Sequence, residues 1–347
     1  MHERVPVHAT APLRISFVGG GTDFPHYYED HGGAVLSTTI DLHVRVTITP
    51  RDDRQVTVRA LDLGHLVAYD LDEGPEYDGV MDLAKAAIER IGVATGVDVD
   101  IRSDASPGSG LGGSSALVVA MTAGLAALGG IEMTADDLAR VSYSIEREDL
   151  GISGGFQDQY ATAFGGFNLI EFARDRVRVT PVEVADGTLG DLEAHLLLWY
   201  TGSVRRNVGI IDRQIALWNE GREDTRLGLK ELHELAYVMR DAIEAGSRDD
   251  LGDLLRAAFE SKRRMNPSIT EHTSIDEMLA LARDAGATGG KVCGAGGGGC
   301  LLLACHPAAR PGVERELGRV GGRVVPFRFH QRGVYAVLGP DLWIPSR

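Results

Sequence analysis

Pro107-Gly108-Ser109-Gly110-Leu111-Gly112-Gly113-Ser114-Ser115-Ala116 is the stretch on which the reading of this chain turns. It follows the alternating run Val97-Asp98-Val99-Asp100-Ile101, which predicts a strand. It leads into Leu117-Val118-Val119-Ala120-Met121-Thr122-Ala123-Gly124-Leu125, which predicts a buried helix. A strand, a glycine-rich loop and a helix N-terminus, in that order, make a device for holding phosphate. The glycines let successive backbone N–H groups point into one concavity, and the helix dipole adds partial positive charge there.

Two loops match G-x-G-x-x-G: Gly108, Gly110 and Gly113, then Gly294, Gly296 and Gly299. Neither is a dinucleotide fingerprint, which needs a second strand about 20 residues on, ending in an acid for the ribose. After the first loop and its helix comes another helix start, Thr134-Ala135-Asp136-Asp137-Leu138. The second loop runs straight into the strand Cys300-Leu301-Leu302-Leu303-Ala304. No G-x-x-x-x-G-K-[ST] occurs, and the protein-kinase signature set is missing. What remains is a loop whose helix begins with two hydroxyls. Either Ser114 or Ser115 caps the helix, or one of them binds the magnesium that bridges nucleotide phosphates. Spacing alone leaves both readings open.

At 347 residues the chain is long enough for two domains. The net charge of −15 argues against non-specific binding to nucleic acid or a membrane surface, but not against a phosphate pocket built from local donors. No apolar run reaches membrane-span length, and Met1-His2-Glu3-Arg4-Val5-Pro6 lacks a signal-peptide pattern. With only three cysteines, the expected compartment is a reducing cytoplasm. Cys300 and Cys305 beside His306 lie on a strand with no second ligand pair at zinc spacing, so they read as core thiols.

Working outward, residues 8–18 predict an opening strand that runs into Gly19-Gly20-Gly21-Thr22-Asp23. Strands are expected within 35–50, an amphipathic helix over 81–91, and a helix from 134 to about 150. That last helix carries Glu146, Glu148 and Asp149 at its C-terminal end, where acids oppose the dipole by about 0.3–1 kcal/mol each. Such a placement suggests another partner, for instance a cation. Residues 186–191 are the best domain-boundary candidate, giving units 1–190 and 191–347, and the mixture of runs predicts an α+β class.

Three glycine clusters in this order resemble the GHMP superfamily of small-molecule kinases. The motifs are Ala11 to Asp23, Pro107 to Ala116 and Lys291 to Cys300, so the resemblance spans essentially the whole chain. Within the superfamily, Gly19 to Asp23, Gly32-Gly33-Ala34-Val35, Phe156 to Tyr160 and Gly289-Gly290-Lys291 are most similar to bacterial heptose 7-phosphate 1-kinases. Galactokinases carry a Glu-His pair where this chain has Gly20-Gly21. The implied fold is a ribosomal-protein-like N-terminal domain containing a βαβ unit, followed by a ferredoxin-like C-terminal domain.

The resemblance implies ATP and Mg2+ as cofactors and a small sugar phosphate as substrate, with a homodimer compatible. Pro107, Gly108, Ser109, Gly110, Leu111, Gly112, Gly113, Ser114 and Ser115 would bind ATP, and Ser115 and Glu146 the metal. Asp158 would accept the proton of the substrate hydroxyl, and Arg14 would hold Asp158 ionised and offset charge on the phosphoryl. Gly20, Gly21, Thr22, Asp23, Asp158, Gly296 and Gly297 would line the substrate site. Arg205 and Arg206 are first candidates for a distal phosphate, because guanidinium matches phosphate geometry. Lys262-Arg263-Arg264 is a second cluster, of a kind that more often forms a solvated helix face. The implied reaction is transfer of the ATP γ-phosphoryl to the anomeric hydroxyl of a heptose 7-phosphate. Competing readings are a fucose- or galactose-type 1-kinase on a free sugar, and a non-catalytic regulator that binds sugar and ATP.

Overall fold

The computed structural model describes residues 5–184, 187–202, 209–271 and 273–339. The first unit contains β1 (Val7–Val18), α1 (Pro25–His31), β2 (Gly33–Pro50), β3 (Gln55–Ala60) and β4 (His65–Asp70). It continues with α2 (Asp82–Ile91), β5 (Val97–Ser103), α3 (Gly113–Leu128), α4 (Ala135–Ser144), α5 (Gln157–Phe164), β6 (Phe167–Ala173) and β7 (Arg176–Pro181). The chain then forms α6 (Thr188–His195), β8 (Leu196–Tyr200), α7 (Ile210–Asn219), α8 (Glu223–Glu244), α9 (Asp249–Met265) and α10 (Ile275–Asp284). It closes with β9 (Ala287–Val292), β10 (Cys300–Cys305), α11 (Arg310–Val320), β11 (Arg323–Val324), β12 (Phe329–His330) and β13 (Tyr335–Leu338).

The first sheet runs β13-β1-β2-β5-β3-β4. The long β2 is its spine. One edge pairs with β1, while the other takes β6, then β12, then β5 along its length. β3 and β5 are parallel, and the crossover between them contains α2. The second sheet, β11-β8-β10-β9, is antiparallel throughout. The α+β class agrees with the mixture of runs in the sequence, and the βαβ crossover and the small antiparallel sheet agree with what the family resemblance implies. We place the domain boundary near residue 190 as a proposal; β12 and β13 return the chain to the first sheet.

Helix α3 is apolar nearly all round because it is covered nearly all round. It lies on β1 and β2 so closely that a Cβ on Gly124 would meet Ile48 Cδ1 at 2.9 Å. α4 starts at the capping box seen in the sequence, with the Thr134 hydroxyl accepting from the Asp137 backbone and the Asp137 carboxylate accepting from the Thr134 backbone. It does not run on as regular helix to 150: Ile145–Asp149 form a wider π turn. Such turns insert one residue into a helix and re-aim the side chains that follow. Cys293, Cys300 and Cys305 are buried free thiols, and burial pushes each of them up. Among the described residues no helix is long and apolar enough to cross a membrane.

Candidate active site

A cleft of about 340 Å³ opens where the two sheets meet, bounded by the loop between β5 and α3, the β1 end, the α5 start and the β9 end. Its floor and one wall are the loop that the sequence singled out. The residue at the α3 cap position is Gly112, at φ 77°, and no side chain caps the helix. Reading Ser114 or Ser115 as a simple cap is therefore overturned: no side chain caps the helix, and its first turn borders the cleft, where an anion would satisfy N–H groups that lack an intrahelical partner. Pro107, Gly108, Ser109, Gly110, Gly112, Gly113, Ser114 and Ser115 all border the cleft. Leu111 does not; its side chain is in the core, 1 % exposed. Its backbone carbonyl accepts from the Arg14 N–H at 3.0 Å, tying the loop to β1.

Arg14 is buried at 2 % exposure and spends its fork on two partners. Nε and Nη2 each lie 2.7 Å from Asp158 Oδ1, and Nη1 donates to the Gly110 carbonyl at 2.7 Å. One guanidinium thus fixes a carboxylate in the first turn of α5 against the backbone of the glycine loop. Asp158 keeps a quarter of its side chain open to the cleft.

The π turn delivers Glu146 into the interior beside the N-terminus of α3. Gln159 Nε2 donates to Glu146 Oε1 at 2.7 Å and to Ser115 Oγ at 3.2 Å, so one amide gathers both oxygens. Burial pushes the Glu146 carboxyl up, while Arg147 at 3.3 Å and the hydrogen bonds from Ser115 and Gln159 pull it back. The pair suits a hard divalent ion such as Mg2+, which takes oxygen ligands from one or two protein groups and completes its shell with phosphate and water. The Gln159 carbonyl oxygen is buried without a hydrogen-bond partner, which leaves this pocket short of positive charge or donors. Among the described residues no cluster of three or more His, Cys, Asp or Glu could cage a metal without such help.

Asp23 also borders the cleft. Its carboxylate accepts from the Gly21 N–H at 2.9 Å, the Gln157 N–H at 3.1 Å and the Gln157 side chain at 3.3 Å. Burial nonetheless holds its carboxyl above the ordinary value, against the backbone donors that lower it. Gly155 lies so close that a Cβ would sit 2.0 Å from Asp23 Oδ2. Gly20 and Gly21 also border the cleft, but Thr22 does not. Fully buried, Thr22 donates its hydroxyl to the Gly19 and Ala34 carbonyls and accepts from the Ala34 N–H, so it builds the turn instead of a substrate contact.

The third glycine run needs a similar correction. Gly294 and Ala295 border the cleft; Gly296 and Gly297 turn away toward Ile269, whose carbonyl accepts from the Gly297 N–H at 2.9 Å. The run instead braces the loop between β5 and α3 from behind. Cys300 N–H donates to the Ser109 carbonyl at 2.8 Å, and a Cβ on Gly110 would strike the Cys293 carbonyl at 2.6 Å. Arg205 and Arg206 lie outside the described residues.

Other features of the cleft carry no role in the sequence reading. Lys262 is buried, borders the cleft and donates to the Gly294 carbonyl, whereas Arg263 and Arg264 pair outward with Asp276 and Glu231. The missed signal is periodicity: Leu251, Leu255, Ala258, Lys262 and Met265 share the buried face of α9. Lys291 is also buried at the cleft. Val44, Ala60, Leu63, Met81 and Ile101 form an apolar slot beyond the glycine loop. Met81 sits there at φ 58°, the one described non-glycine residue with positive φ.

A family profile described as the GHMP kinases N terminal domain matches residues 79–166, and one described as GHMP kinases C terminal matches 239–322. D-glycero-alpha-D-manno-heptose 7-phosphate kinase of Campylobacter jejuni is 32% identical over 337 residues, covering 94% of this chain and 98% of the relative. The crystal structure of a D-glycero-D-manno-heptose 1-phosphate kinase from Bacteroides thetaiotaomicron superposes with TM-score 0.79 at 29% identity, covering 95% of this chain and 98% of that one. Lactococcus lactis galactokinase, solved with galactose, shares the fold at TM-score 0.76 and 21% identity, covering 96% and 95%.

Proposed function

The chain belongs to the GHMP kinases, and on that footing we propose that it transfers the γ-phosphoryl of ATP to the anomeric hydroxyl of a heptose 7-phosphate, giving the 1,7-bisphosphate. The observation that carries the reading is Arg14 bridging Asp158 and the Gly110 carbonyl, which holds a proton acceptor against a phosphate loop. The choice of sugar rests on the likeness to the C. jejuni heptose 7-phosphate kinase.

In this reading the residues from Pro107 to Ser115 cradle the phosphates, and the apolar slot around Met81 takes the nucleobase. Asp23 and the backbone at Gly20 and Gly21 hold sugar hydroxyls, and Arg205 and Arg206 take the distal phosphate. The anomeric hydroxyl gives its proton to Asp158 as its oxygen bonds to the γ-phosphorus, and the bond from that phosphorus to the bridging oxygen breaks, releasing ADP. Ser115 and Glu146 would hold Mg2+, which offsets charge on the phosphates when bound. Retention of Ser115, Glu146 and Asp158 speaks against a non-catalytic regulator.

The test is ADP release with a panel of sugars and sugar phosphates. Turnover is expected with heptose 7-phosphate. Turnover confined to free fucose, galactose or other unphosphorylated sugars would overturn the substrate assignment.

A further inference from the structure

Lys291 on β9 is 4 % exposed, yet it borders the cleft. Its ammonium group makes one hydrogen bond among the described residues, donating to the Ser16 carbonyl at 2.6 Å. An ammonium carries three donors. No described carboxylate pairs with it, and a buried charge without a counter-ion is costly. Ser16 itself is 5 % exposed and borders the cleft, and its hydroxyl is buried with no hydrogen-bond partner. Two residues earlier on β1, Arg14 points to the same side of the strand and reaches Asp158. A cation, an unpaired hydroxyl and a guanidinium therefore converge beside the proton acceptor. That donor set fits an anion with several oxygens.

We propose that Lys291 and Ser16 are catalytic residues that hold the phosphoryl group in transit, donating to its oxygens as the bond to ADP breaks and the bond to the acceptor oxygen forms. No proton moves to or from either residue; the hydroxyl proton still goes to Asp158. The inference rests on the kinase reading but not on which sugar is the acceptor.

The groups around Lys291 set its charge. Arg14 faces it from β1 and Cys293 from just past the end of β9; β10 places Leu302 opposite it, α10 brings Leu279 against neighbouring Gly290, and α9 brings Lys262 toward Cys293. Burial, with Arg14 adding to it, holds the Lys291 ammonium down at about 8. An ammonium needed for catalysis should then cost activity as pH rises past that value.

The experiment compares the wild type, Lys291→Met, Lys291→Arg and Ser16→Ala with Mg2+, ATP and the preferred sugar, reading kcat, both KM values and the affinity for a fluorescent ADP analogue. Expected is a fall of about 100-fold in kcat for Lys291→Met and about 10-fold for Ser16→Ala, with ADP affinity within about 3-fold of wild type. A Lys291→Met variant with wild-type kcat overturns the proposal. Should Lys291→Met fail to fold, Lys291→Arg decides, because guanidinium stays charged. Its alkaline fall in kcat is expected to move up from about pH 8 by a unit or more; an unmoved fall overturns the proposal. A wild type that phosphorylates nothing in the panel overturns the kinase reading and this inference with it, whereas an active wild type with unaffected variants overturns this inference alone.

Discussion

Gly110 and Gly294 meet backbone to backbone: a side chain on Gly294 would begin 2.8 Å from the Gly110 Cα. The glycine loop before α3 and the last glycine run are thus shaped by each other. Gly294 also sits at φ 61°, where a Cβ is strained even in open space. Gly294→Ala is expected to cost about 1–3 kcal/mol and to raise the KM for ATP more than the KM for sugar. Calorimetry and an ATP titration check this. An unchanged ATP KM would mean that the two loops do not depend on each other.

Asp158→Asn removes the proton acceptor while leaving an oxygen for Arg14. It should lower kcat by about 10²–10⁴-fold with little effect on ATP affinity. Arg14→Lys is expected to lose activity as well, because one ammonium cannot reproduce a fork whose three nitrogens engage Asp158 and the Gly110 carbonyl. Steady-state kinetics with a nucleotide-binding measurement separate the two effects. Full turnover by Asp158→Asn would remove this residue from the mechanism.

Gln159 touches neither phosphate nor sugar in the proposed reaction, yet it donates to both Ser115 and Glu146. Gln159→Leu should therefore raise the Mg2+ concentration needed for half-maximal rate by about 10–100-fold. Saturating Mg2+ should restore much of the kcat. A variant whose Mg2+ dependence matches wild type would show that these two oxygens are not the ion's anchor.

Asp23 offers a pH test. Its folded carboxyl titrates above the ordinary value because burial outweighs its backbone donors. The native state then holds the proton more tightly than the unfolded chain. The stabilisation this group gives is therefore greatest in acid, and is lost as pH rises from the ordinary carboxylate range through its raised folded value. Asp23→Asn cannot titrate. The melting temperature of wild type minus that of the variant should be larger near pH 4 than near pH 7. A constant difference would contradict the assignment.

The glycine loops and the misplaced acid Glu146 stand out in the sequence because each breaks a local rule, whereas Asp158, an acid in a helix first turn, is singled out only by the family resemblance. Glycines cluster where side chains would be cheaper to order, and an acid sits against a helix dipole. The π turn that aims Glu146 inward could not be read, since nothing in Ile145-Glu146-Arg147-Glu148-Asp149 departs from helical composition. The family motifs carry Thr22 and Gly296 to the substrate together with neighbours that do face the cleft; one residue's rotation about the backbone separates a wall from a buttress. Lys291 gave no alternating signal, because Gly290, Lys291 and Val292 are all buried and β9 is covered on both faces. The apolar slot is assembled from β2, β3, β5 and the approach to α2, so no single window contains it.

β13 pairs with β1 from Val7↔Leu338 to Thr10↔Tyr335, beside the stretch of β1 that carries Arg14 and Ser16. During synthesis the partner of β1 on that side emerges more than three hundred residues after it. Until then that edge of the sheet is an unpaired row of backbone donors and acceptors, open to pairing with another nascent chain. Ribosome-bound chains that stop short of β13 should therefore be the aggregation-prone species. Protection of that edge arrives only with β13.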